Sequence, residues 1–391
     1  MGYNSEGASP GKYSKLKKYC DDKVTSALTS VVRNMKKHED EIKALKPTFE
    51  YRPQLEETLT PVAAIDGGIA VLFPNEVSET KIIKIAIGVP PVWKDFLTDA
   101  EYEDFTHIFT GQLRWPDGAE KEFEQIVLEM IEIVNENETI QKAREILEVS
   151  QEDFNKAIRD RAFHLKSKTT NSLTGFEDNI RELFEISALV CFTHKQKKNK
   201  KLIEHFIKNG LDVPYVFIKD GTLYPSRMTL SGLLADAVSA YFNSGEVPVV
   251  GVIKNSRFVN KDNIWSKVIT NYAREVKSHT FFRIPKSVEI SIDSNSDDLD
   301  FRRYFLSLFG GESIFEIQIP KVLTQDDKKL KFMLKVLAEQ ITFKYGGSIS
   351  TNSYAHDRAS LPEVEARHLT QAVRDDLKTL LKDYKEKKNE P

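Results

Sequence analysis

Two nearly unbroken apolar stretches, TPVAAIDGGIAVLF (Thr60–Phe73) and DVPYVFIKDGTLY (Asp212–Tyr224), each carry an aspartate followed by glycine. Charge inside an apolar strand is costly unless it is paired or bound to metal. Two such strands, delivering Asp66 and Asp220, are the pattern of a sheet that holds a cation. Gly67 and Gly68 leave room beside Asp66 for a ligand or a backbone to approach. Asp220 stands where its strand ends, and open α/β sheets collect ligands at the carboxyl ends of strands. Asp-Gly is also the commonest hairpin turn, so each pair taken alone reads equally as a turn.

The strands sit in an α/β pattern. Residues 61–73 and the alternating TKIIKIAIGVPPV form an expected antiparallel hairpin. Strand 213–219, helix 228–243 and strand 247–253 follow as a strand–helix–strand unit whose strands, apolar on both faces, suit inner parallel positions. Further strands are expected near 287–292 and 313–319, and helices over 176–192, near 263–277, 325–343 and 362–384. Residues 95–165 are acidic and helical in period, with Phe123, Ile126, Met130, Ile133 and Val134 on one face, and read as a helical insertion. Residues 1–12 are rich in Gly, Ser and Pro and are expected to be disordered; 13–60 read as an N-terminal helical segment, and 362–391 as a charged C-terminal helix.

Several function classes are excluded. DSNSDDLD (Asp293–Asp300) starts like a calcium loop but has Asp298 where glycine is required and Tyr304 where the final glutamate belongs. There is no phosphate-binding P-loop, no G-x-G-x-x-G, no H-E-x-x-H and no G-x-S-x-G. Cys20 and Cys191 make neither a disulfide framework nor a thiolate zinc site. No apolar run reaches the ~20 residues of a membrane span, and the first residues show no signal peptide, so a cytoplasmic protein without a membrane partner is expected. The net charge of −3 provides no global basic field, so any nucleic-acid contact must use a local surface such as HKQKKNKK (His194–Lys201). That run reads first as a solvated loop between two helices.

A third carboxylate is expected from the helix in NIRELFEISALV, as Glu185 or Glu182. Lys254 ends the strand of VGVIKNS, followed by Arg257 and Phe258; NSYAHDRASLP brings Tyr354 and His356. Oxygen donors of this kind suit Mg²⁺ or Mn²⁺ rather than zinc.

The order AIDGG, RELFEISAL, VFIKDGTL, VVGVIKNS, IFEIQIP and YAHDRASL resembles the NurA nuclease family from about residue 61 to 361. The resemblance implies an RNase H-like mixed sheet flanked by helices, a DNA nuclease using two Mn²⁺ or Mg²⁺ ions, a homodimer, and a hexameric HerA-type ATPase partner in DNA end processing or phage defence. It matches Asp66, Glu185 (with Glu182 as the fallback), Asp220 and His356 to the metal and catalytic positions and Lys254 to a catalytic basic residue. Lys254, Arg257, Phe258 and Tyr354 would touch DNA. Two departures stand out: QIP (Gln318–Pro320) replaces the family's E-x-P, and no proline precedes YAH. A non-catalytic scaffold of the same fold, recruiting an ATPase, is the alternative.

Overall fold

The computed structural model describes residues 21–26, 46–52, 62–71, 79–89, 96–97, 105–111, 120–166, 176–208, 215–223, 232–246, 248–254, 264–285, 300–308, 314–339, 341–342 and 348–349. It also describes single helical positions at 18, 29, 355, 359, 371, 375 and 379. The expected tail 1–12, the strand near 287–292, and Arg257, Phe258, Tyr354 and His356 lie outside the described residues, as does most of the expected helix over 362–384.

A nine-stranded sheet organises the chain, in the order β1-β7-β8-β9-β6-β5-β2-β3-β4. Its strands are β1 (Phe49–Tyr51), β2 (Val62–Val71), β3 (Glu79–Gly88), β4 (Phe105–Gly111), β5 (Val216–Asp220), β6 (Val249–Ile253), β7 (His279–Arg283), β8 (Phe301–Ser307) and β9 (Ile314–Pro320). β2, β3 and β4 form an antiparallel meander; β5 joins β2 in parallel, and β6 joins β5 in parallel. Three meander strands continued on the side of the first by two parallel strands is the RNase H-like arrangement, in agreement with the α/β expectation. β9, β8, β7 and β1 extend the sheet antiparallel beyond β6.

Both faces of the central strands are covered, which is why they read as continuous apolar runs. Ala63, Ile65 and Phe217 enter one core; Val62, Ala64, Val216 and Ile218 enter the other. The first core lies under α1 (Glu120–Glu136), α2 (Glu138–Ile146), α3 (Gln151–Lys166), α4 (Phe176–Gln196) and α6 (Gly232–Phe242), with α5 (Lys200–Lys208) beside α4. α7 (Ile264–Val276) packs on β7 and β8. The second core lies under α8 (Asp327–Glu339) and takes in Ala355.

The expected helical insertion over 95–165 is corrected by β4. The segment is helical from Glu120, but its front supplies the third meander strand, FTHIFTG, whose β-branched and aromatic residues are embedded in acidic sequence. The N-terminal segment 13–60 likewise ends in a strand, β1, paired with β7. The insertion helices have an internal task. α2 and α4 pack together, and α4 is buried on nearly every side between Asn179 and Thr193, against the sheet within and α2 without. Asn137 caps α2, its side chain accepting from the backbone N–H groups of Thr139 and Ile140.

Candidate active site

Asp66 lies in mid-strand, 4% exposed, with Gly67 paired to Ile85 and Gly68 to Lys84 in the ladder with β3. The Asp66-Gly67 pair is therefore no hairpin turn. Asp220 is the last residue of β5, and Gly221 turns the chain with φ +94°, its N–H donating to the Val252 carbonyl at 2.8 Å. Here the turn and the carboxylate coexist.

Register brings the two aspartates together. Ala64 pairs with Ile218 and Ile65 with Lys219, so Asp66 and Asp220 stand level on neighbouring parallel strands, whose backbones are about 4.8 Å apart. Side chains alternate along a strand, so Asp66 continues the side of Val62 and Ala64, and Asp220 that of Val216 and Ile218. Both aspartates thus share the second-core face. Lys254 follows β6, and its Nζ donates to Asp220 Oδ2 at 2.9 Å.

The other face carries the helix glutamates. Gly67 has no side chain, and the Glu185 carboxylate fills that space: a Cβ there would stand 2.6 Å from Glu185 Oε1. Both oxygens of Glu185 are engaged. Arg181, one helical turn earlier, donates from Nη1 to Oε1 at 3.0 Å and to the Gly67 carbonyl at 3.0 Å. Lys219 Nζ lies 2.7 Å from Oε2, with both side chains 2% exposed, and also donates to the Asp220 carbonyl at 3.1 Å. Burial alone would lower the Lys219 ammonium, but the Glu185 and Glu182 carboxylates outweigh it and hold it above its ordinary value, so it is charged. Glu182 accepts from Thr222 Oγ1 at 3.1 Å, and burial pushes its carboxyl up.

These groups, with Arg161, line one open cleft of about 650 Å³ at the ends of β5 and β6. The turn forming its floor is fixed from below. Leu223 N–H donates to Gln318 Oε1 at 3.0 Å, Gln318 Nε2 donates to Glu316 Oε1 at 2.9 Å, and Arg303 Nε reaches the same oxygen at 3.1 Å. Gln318 therefore has a structural task at the position where the resemblance had glutamate.

Lys219, Arg181 and Arg161 are site residues that the sequence reading missed. Lys219 was detectable as a lysine with the parity of buried Phe217, and Arg181 as an i,i+4 partner of Glu185. The basic run His194–Lys201 lies at the other end of α4, about 15 Å along the axis from Glu185, where Lys197 pairs with Glu246 and Lys198 contacts His194.

The carboxylate donors fit a hard divalent cation in kind. Among the described residues, however, no three of His, Cys, Asp and Glu are gathered as a ready metal cage. Asp66 and Asp220 share the second-core face, away from Glu182 and Glu185. Among the described residues, no helix is long and apolar enough to cross a membrane.

No family model matches the sequence, and no curated protein does. Among solved structures, the chain is similar to the NurA nuclease from Sulfolobus solfataricus, at 14% identity over 95% of this chain and 98% of that one, with a TM-score of 0.41. It is similar to a NurA bound to dAMP and manganese, at 12% identity over 92% of this chain and 97% of that one, TM-score 0.36. Its fold is also similar to the catalytic domain of human endonuclease V, at 11% identity over 88% of this chain and 98% of that one, TM-score 0.29.

Proposed function

We propose that the chain is a divalent-metal-dependent nuclease that hydrolyses DNA phosphodiester bonds in the cleft at the ends of β5 and β6. The observation that carries this reading is the level placement of Asp66 and Asp220 on one face of adjacent parallel strands, with a lysine ammonium 2.9 Å from Asp220. Asp66 and Asp220 would hold the ion. A bound Mn²⁺ or Mg²⁺ supplies Lewis acidity toward the phosphate and a lowered pKa for water.

The chain's own groups do the rest. Lys254 and Arg161, at the cleft wall, neutralise the phosphodiester charge. The turn 221–223, tied to Gln318, fixes the direction of Asp220. Water adds to phosphorus and gives up a proton to bulk solvent, the ester P–O bond breaks, and the leaving oxygen takes a proton. His356 is proposed as its donor, since an imidazole titrates near neutrality; it follows Ala355, which is buried in the core on the aspartate face. The family resemblance extends the proposal to DNA end processing or phage defence, to a homodimer and to a HerA-type ATPase partner, testable by co-elution with a HerA-type ATPase.

Labelled single- and double-stranded DNA, incubated with and without Mn²⁺, tests the reading. Asp66→Asn and Asp220→Asn should each lower cleavage by about a hundredfold or more while the protein stays folded. Full activity in both variants would refute the assignment. A second reading, the non-catalytic scaffold, is favoured by the pairing of Glu185 and Asp220 with lysines. It requires ATPase binding with no cleavage and no Mn²⁺ uptake.

A further inference from the structure

The nuclease reading is the basis for a sharper one about the number of ions. Two-ion hydrolysis uses cations about 3.5–4 Å apart, gripped by shared carboxylates. In this cleft the space beside Glu185 already holds a cation. Lys219 Nζ is 2.7 Å from Glu185 Oε2 and 3.1 Å from the Asp220 carbonyl, and its side chain is 2% exposed. Its strand position puts its Cβ on the face opposite the two aspartates, and the long side chain carries the ammonium back to the strand end that bears Asp220. A Cβ on Gly221 would stand 3.5 Å from Nζ, so the ammonium lies against the catalytic turn itself.

We propose that Lys219 takes the place of a second metal ion: the cleft binds one divalent ion, through Asp66 and Asp220, and the Lys219 ammonium, held by Glu185, supplies the other positive charge. This departs from the two-ion expectation. Charge balance supports it. The described lining carries five carboxylates and four cations, a formal balance of −1. One divalent ion brings that to +1, whereas two bring +3 into a cleft whose Glu185 is already neutralised from both sides. Displacing Lys219 would also strand an ammonium in a position closed to water. A merely structural Lys219–Glu185 pair would have no bearing on metal stoichiometry.

The test counts Mn²⁺ bound to EDTA-stripped protein by calorimetry and by loss of the free-ion EPR signal. Wild type should bind one ion per chain. Lys219→Met, which frees Glu185 Oε2 while Arg181 keeps Oε1, should bind two. Lys219→Met/Glu185→Leu, which replaces the pair by apolar groups, should bind one with wild-type affinity. Two ions in wild type, or one in Lys219→Met, overturns the inference and leaves the nuclease reading intact. No ion in wild type overturns that reading as well. If Lys219→Met does not fold, the double variant decides: an affinity about tenfold weaker would make Glu185 a ligand and sink the proposal.

Discussion

Gly67→Ala isolates the packing of the helix glutamate on the sheet. Gly67 has no positive φ, so alanine adds no backbone strain and the cost is purely steric. The new Cβ would stand 2.6 Å from Glu185 Oε1, 2.9 Å from Glu185 Cγ and 2.7 Å from Ile85 Cδ1. Ordinary contact begins at about 3.5 Å, so Oε1 has to retreat by about 0.9 Å. Ile85 can turn aside at its terminal methyl. Glu185 is pinned from both sides, by Arg181 at 3.0 Å and Lys219 at 2.7 Å. Overpacking alone costs about 1–3 kcal/mol, and complete loss of one partner from a buried pair about 3–5 kcal/mol. A partial loss places the expected destabilisation at about 2–4 kcal/mol, read as a fall in the urea midpoint at unchanged slope. In a Glu185→Ala/Lys219→Met background the same substitution meets only Ile85, and its cost should fall by about 1–3 kcal/mol, the coupling expected of residues in contact. A wild-type cost below about 0.5 kcal/mol, or equal costs in the two backgrounds, would refute the claim that cations lock Glu185 over Gly67.

Two pH-dependent effects follow from burial, both measurable in EDTA. His279, buried on β7, is pushed down to about 4 from 6.5 by desolvation, so between those values the unfolded chain takes a proton that the folded chain does not. Stability therefore falls as pH drops through that window, by about 3 kcal/mol in all; His279→Gln should flatten the slope by up to about 1.4 kcal/mol per pH unit, and an unchanged slope would disprove it. Glu182 has the opposite sign. Its carboxyl is raised by burial, so the folded state holds the proton longer, and stability is lost as pH rises past 4.5. The melting temperature of Glu182→Gln, relative to wild type, should climb between pH 4 and neutrality, and a decline would contradict the burial argument.

The strands marked by apolar runs, β2, β5 and β6, were legible, as was β9, where Glu316 and Gln318 alternate with apolar residues. β8 was not, because Arg302 and Arg303 interrupt FRRYFLS. Arg303 is nonetheless buried, since Glu316 on β9 neutralises it at 3.1 Å and Phe301 stacks beneath it at 4.9 Å. Its partner lies on another strand, so nothing local marks the position as interior. β1 is three residues long and exists through pairing with β7. At the site, Asp66 and Asp220 stood out because each charge sits in or at the end of an apolar run. Glu182 and Glu185, three residues apart on one helix, could be ranked only by the family resemblance and not from the residues themselves, because helices of the insertion decide which side of α4 is sealed from water.

The dipeptide Lys219-Asp220 shows why sequence proximity and chemical grouping diverge here. Strand alternation sends the two side chains to opposite faces, so Asp220 joins Asp66 and Lys254, whereas Lys219 joins Glu185 and Arg181. The sheet thereby sorts neighbouring charges into two sets, one on each face, that meet where β5 ends and the Lys219 ammonium reaches the Asp220 carbonyl. On the aspartate face Asp66 is itself buried at 4% exposure, but Asp220 at 15% and Lys254 at 35% open onto the cleft, so the proposed ion would compete with Lys254 for Asp220. On the helix face the pair is 2% exposed, and no incoming cation can approach Glu185 without first expelling Lys219. On the one-ion proposal, the difference in burial between the two lysines, more than the number of carboxylates, would set how many ions the cleft accepts.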